Sequence, residues 1–203
     1  LPTAVPVPAP TLVPTQTPLP TTPVPSPIPT TPVPSPNPSP VPTTPVPSSA
    51  PSWSGEPNFC TFESGICTFS NTGSYDWTRN SGSTDSDDTG PSTGHDGLGY
   101  YMYVDASSPN YPSVGPFVLE SDVTSISSVT FWYNMYGAAM GQLSLDTSSN
   151  DGETWTTQFS LSGNQGVSWQ EAEVDVPTST TTIRFSATTG NGYTSDMAID
   201  DVS

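Results

Sequence analysis

The sequence predicts an all-β fold for residues 56–203, two antiparallel sheets packed as a sandwich, preceded by a disordered or polyproline II linker over residues 1–55. Three observations carry this. Apolar and polar residues alternate in short windows, turn-forming clusters separate those windows, and no window after residue 56 shows a 3.6-residue apolar period.

The linker comes first along the chain. Of 26 prolines, 20 lie between Pro2 and Pro51, in a stretch that holds no Asp, Glu, Lys, Arg or His. Isolated Val and Ala between prolines cannot bury enough apolar surface to offset the entropy of ordering. "TTPVPSP" at 21–27 returns at 30–36, and "TTPVPS" at 43–48. Repeated X-Pro units favour polyproline II, so about fifty residues extend on the order of 150 Å at 3.1 Å per residue. Ser and Thr set between the prolines read as an O-glycosylated stalk, with an unmodified linker as the alternative. Trp53 falls in this linker.

The strands follow. Alternation is clear in "SVTFWYNM" (128–135), "GQLSLD" (141–146), "WTTQFSL" (155–161), "EAEVDVP" (171–177) and "TTIRFSA" (181–187). "SSNDGE", "SGNQG" and "TTGNG" supply turns between them. In the first window Phe131, Tyr133 and Met135 share one face, while Trp132, Asn134 and Tyr136 share the other. Both faces are mostly apolar, so the reading is a central strand covered on both sides. "GAAMG" (137–141) then provides a turn with close backbone approach.

All of the charge lies beyond the linker: 19 acidic residues against Arg79 and Arg184, with no lysine, for a net charge of −17. Such a surface repels nucleic acid and anionic lipid and attracts cations, Ca2+ first among them. Cys60 and Cys67 have six residues between them, a spacing that suits a local disulfide in an oxidising compartment; a free pair is the alternative. No run of 18 apolar residues marks a membrane span. Leu1 is no initiator and no signal peptide is visible, so the chain reads as a piece of a longer secreted or cell-surface protein.

"FCTFESGIC", "YDWTR", "DDTGPSTGHDG", "GYYMYVDAS", "FWYNMYGAAMG", "GVSWQEAEVDV" and "DMAIDDVS" stand in the order and spacing of a MAM domain. From about Asn58 to Ser203 the chain resembles this extracellular module, which meprin, neuropilin and receptor tyrosine phosphatase mu share. The resemblance implies a jelly-roll sandwich that works in adhesion or association, without catalysis of its own, and binds a cation near its N-terminal edge. It also implies two departures. Of the family's four cysteines only the first pair is matched, the third falling at Ser128, and Gly94 stands where the family carries an Asp.

Calcium takes six to eight oxygens, gathered from separate segments. Glu63 in the first strand and Asp200 in the last match positions that such a fold brings together, with Asp201 as neighbour and Asp96 as a shifted substitute for the missing Asp. One of Asp200 and Asp201 is expected to face inward, where a carboxylate without a basic partner is costly. Hydrogen-bonded carboxylates without metal are the alternative. Asp85, Asp87, Thr89, Gly90 and Asp96 approach the spacing of an EF-hand loop, but the flanks are not helical, so a solvated acidic loop is the reading.

Two other functions compete with adhesion. Glu171, Glu173 and Asp175 alternate along one strand, about 6.5–7 Å apart, and a carboxylate pair is what glycoside hydrolysis needs. Ala172, Val174 and Val176 between them make a core face, so the acids read as the wet side. A Ca2+-stabilised carbohydrate-binding module would instead expose rings for stacking on sugars. Trp132, Tyr136, Trp155 and Tyr193 are the ligand-facing candidates, with Tyr100, Tyr101 and Tyr111 behind them. The partners expected are an extracellular protein, a second copy of the chain, or a glycan.

Overall fold

The computed structural model describes residues 59–203; the stalk reading of residues 1–55 lies outside them. Ten strands follow one another: β1 Ser70–Asn71, β2 Thr78–Ser81, β3 Tyr100–Val104, β4 Phe117–Asp122, β5 Ser128–Asn134, β6 Gln142–Ser148, β7 Thr156–Ser162, β8 Gln170–Asp175, β9 Thr182–Thr188 and β10 Met197–Asp200. Among the described residues there is no helix. One sheet runs β1-β4-β9-β6-β7 and the other β2-β3-β10-β5-β8, with every strand pair antiparallel. The five windows of alternation correspond to β5 to β9, each within two residues at either end.

Period-2 alternation builds the core. Ile183, Phe185 and Ala187 of β9 point inward, while Arg184, Ser186 and Thr188 stay half-exposed. Ala172 and Val174 of β8 are buried, and Glu171, Glu173 and Asp175 stand exposed on the outer side. Phe131 is the hub, fully buried, with Phe185 at 4.9 Å and Phe159 at 5.3 Å, both edge-on as ring quadrupoles prefer.

β5 is a central strand, paired with β10 on one side and β8 on the other. Its inward residues Phe131, Tyr133 and Met135 join the main core, as the alternation predicts. The outer face of the same sheet carries a second cluster: Tyr101, Tyr103 and Ala198 with Trp169 packed against them. The segment 82–99 is tied to it, since Tyr101 Oη donates to Gly82 O at 2.7 Å and Trp169 Nε1 donates to Thr93 O at 3.1 Å. Tyr101 is therefore fully buried, and the reading of it as a ligand-facing ring is corrected. Burial pushes its hydroxyl up to about 12.

The 137–141 turn shows why its residues are small. A side chain on Gly137 would run into Thr194 O, and one on Gly141 into Thr188 O. The Cys60–Cys67 disulfide is formed. Beside it, Cys60 pairs with Val202, bringing the start and end of the folded part together.

Candidate functional site

The carboxylates singled out as metal ligands lie around that meeting of the start and end of the folded part. Glu63 sits in a turn between Cys60 and β1, not in a strand as expected. Its Oε1 accepts from Tyr100 N at 2.7 Å. Gly99, with φ of +78°, leaves room for this carboxylate; any side chain there would fall on Oε1. Arg79 braces the turn, donating from Nε to Phe62 O at 2.6 Å and from Nη2 to Glu63 O at 2.8 Å, with its guanidinium 3.4 Å from the Tyr100 ring centroid.

Asp200 closes β10 and is 3% exposed. It does not enter the core between the sheets. On β10 Met197 and Ile199 face that core, so Asp200 shares the outer side with Ala198 and is buried under the 94–99 turn. Oδ2 accepts from His95 N at 2.9 Å and Oδ1 from Asp201 N at 2.8 Å. Burial pushes the carboxyl up to about 7, and Asp201 and Glu63 add repulsion. Asp201 breaks the strand with φ of +46° and bonds His95 Nδ1 at 2.8 Å. The His95 ring stacks on Trp132, with centroids 3.6 Å apart.

Asp201 and Glu63 thus lie near enough to Asp200 to repel it, while Asp96 is spent on its own turn, where Oδ1 accepts from Leu98 N at 3.0 Å. Position 94 admits no side chain, because a Cβ would strike Leu98 O and lie 3.2 Å from Asp200 Oδ2. Among the described residues no three His, Cys, Asp or Glu side chains stand as a ready metal cage. The donor set is nonetheless one of hard oxygens around a buried carboxylate that no Lys or Arg pairs. Sequence reasoning missed His95, whose hydrogen bonds to Asp200 and Asp201 span more than a hundred residues of chain. It also missed the buried Asp196.

The acidic 85–96 stretch is not an EF-hand. Thr89 is buried and its hydroxyl donates to Tyr136 O at 3.0 Å, which anchors the loop to the end of β5. The aromatic candidates are largely covered on one face: Trp132 by His95, Trp155 by the Arg184 guanidinium at 4.2 Å, and Tyr136 half-buried beside the loop. Tyr193 alone of the four is exposed, at 51%.

The family model "MAM domain, meprin/A5/mu" matches residues 60–203. The chain belongs to the MAM domain family. This MAM domain is 38% identical over 161 residues to MAM domain-containing glycosylphosphatidylinositol anchor protein 1 of Rattus norvegicus, covering 71% of this chain and 17% of that protein. It is 34% identical over 152 residues to MAM domain-containing protein 2 of Mus musculus, covering 72% and 22%. The chain therefore spans about a fifth of the length of these relatives. Among solved structures, the K2 cleaved adhesin domain of Lys-gingipain superposes with a TM-score of 0.56 at 18% identity, covering 71% of this chain and 96% of that one, a likeness of fold. Within the MAM domain, the segment closing the sandwich, from Asp196 to Val202, carries both the strand that joins the sheet and two of the site's carboxylates, Asp200 and Asp201.

Proposed function

We propose that this MAM domain is a non-catalytic adhesion or protein-association module of a secreted or cell-surface protein, held on a proline-rich stalk and stabilised by Ca2+ at Glu63 and Asp200. The relatives support the extracellular setting, two of their names carrying a glycosylphosphatidylinositol anchor. The observation that carries the reading is the disposition of the carboxylates. Glu63 and Asp200 lie where the start and end of the folded part meet and are braced by backbone N–H groups, whereas Glu171, Glu173 and Asp175 lie along an exposed strand of the open outer face. The covered faces of Trp132 and Trp155 favour protein association over sugar stacking.

Glu63 and Asp200 would hold the ion, with backbone carbonyls such as that of Leu98 beside Gly94 completing the six to eight oxygens. Bound Ca2+ supplies the positive charge that this buried carboxylate otherwise lacks. At 1 mM CaCl2 the melting temperature of the 203-residue chain is expected to rise by several degrees over its value in EDTA, and Asp200→Asn is expected to remove most of the rise. An unchanged melting temperature would sink the calcium assignment.

Beads coated with the chain are expected to adhere to cell layers or matrix, with no turnover of β-glucans. Hydrolysis of a β-glucan that disappears in the Glu171→Gln, Glu173→Gln double variant would overturn the non-catalytic reading.

A further inference from the structure

The chain carries two basic residues besides His95, and both are engaged within the fold. Arg79 is spent on two carbonyls and a tyrosine ring, Arg184 on Asp146 at 2.9 Å and on Trp155. A surface at net −17 with no free lysine or arginine has nothing cationic to offer a second copy of itself, so like-charge repulsion works against homophilic contact. A partner has to bring the positive charge.

One groove is shaped for such a group. It has a volume of about 260 Å³ and lies between the 83–92 loop, Tyr136 and Val167. That volume suits a single side chain, not a drug-sized ligand, whose pockets run from about 300 Å³ upward. Asp87 and Asp88 are exposed on its wall, and neither carboxylate accepts a hydrogen bond or pairs with a cation among the described residues. Tyr136, half-buried, and Val167, 67% exposed, also line the groove, an apolar and aromatic contribution for the stem of a long cationic side chain.

Thr84, Thr89 and Gly90 also line the groove, and all three pack on Asp196. Asp196 is fully buried. Its Oδ1 accepts from Ala106 N at 2.8 Å, and its Oδ2 has no hydrogen-bond partner. A third carboxylate therefore lies buried beneath the same wall, adding to the negative field there once it is ionised.

We propose that this groove receives a lysine or arginine side chain of a basic protein partner, with Asp87 and Asp88 pairing its charge and Tyr136 covering its stem. The proposal rests on the protein-association reading and specifies its partner as heterophilic and cationic. Binding is an equilibrium of charge and contact, with no covalent step.

The test is an amide-shift titration of the full chain with acetyl-Gly-Arg-Gly-amide, using acetyl-Gly-Gln-Gly-amide as the neutral control. Shifts are expected at Asp87, Asp88, Gly90, Tyr136 and Val167 with the Arg peptide alone. Asp87→Asn with Asp88→Asn is expected to weaken binding at least fivefold, and Tyr136→Leu severalfold, at unchanged spectral dispersion. Glu171→Gln with Glu173→Gln, the same change in net charge on the outer strand, is expected to weaken it less than twofold. Equal weakening by both double variants, shifts scattered over the acidic surface, or groove shifts with CaCl2 but not the Arg peptide would each overturn the proposal. Bead adhesion that survives Asp87→Asn with Asp88→Asn undiminished would remove the groove while leaving the association module standing. Arg-peptide binding at the groove without any bead adhesion would support the groove and remove the wider reading.

Discussion

Phe131→Ala is expected to lower the unfolding free energy by about 3–5 kcal/mol, the range for emptying a fully buried aromatic site. Phe131 is 0% exposed, and its ring contacts Phe159, Phe185 and Tyr133, so truncation opens a cavity where both sheets meet. The surrounding rings belong to β5, β7 and β9, three strands locked by backbone pairing, which limits how far they can collapse into the void. Trp132→Ala, one position along the same strand, is the contrast. Trp132 faces outward against His95, and its loss is expected to cost closer to 1–2 kcal/mol, mostly a stacking contribution. Urea denaturation of the two variants measures the difference. A loss below 1 kcal/mol for Phe131→Ala would mean that the ring is not at the centre of a packed core.

In the presence of a chelator, the protein is expected to be more stable at pH 5 than at pH 7.5. Burial pushes the Asp196 carboxyl up to about 6 and that of Asp200 up to about 7, from an ordinary value of 3.8. Between 3.8 and those raised values the folded state holds protons that the unfolded chain has released, so stability falls as pH rises through this window. Each group contributes up to about 1.4 kcal/mol per pH unit there, which places the effect in the range of kcal/mol. Its sign is opposite to that of a carboxylate stabilised by an ion pair, which loses stability on acidification. Urea midpoints across pH 4.5–8 in EDTA read it directly. A midpoint that falls on acidification would mean that these two carboxylates are ionised and compensated in the fold. Calcium at Asp200 would oppose the trend, since it favours the carboxylate that protonation removes.

The strands and their faces were legible in the sequence because a pleated chain declares its burial locally, every second residue. β5 to β9 could be placed within two residues, Phe131 assigned to the core, and Glu173 with its neighbours to solvent, from alternation alone. The seven family segments added the order of the rest, including the final "DMAIDDVS". The short strands β1 and β2, with two and four residues, have no such pattern to read.

What only the tertiary structure decided lies in the connections. Alternation places Asp200 and Asp201 on opposite sides, but it cannot say that a turn more than a hundred residues upstream seals Asp200 from water. Nor can it turn Tyr101 from an outward ring into a buried one, since that depends on the 82–99 segment folding across the sheet. Glu63 left its expected strand because Tyr100 N, Arg79 and the gap at Gly99 hold it in a turn. The groove at Asp87, Asp88, Tyr136 and Val167 draws on three segments distant in the chain. Side-chain period is set by neighbours one or two residues away, whereas burial of a loop carboxylate is set by whichever distant segment happens to close over it, and a linear pattern carries no record of that closure.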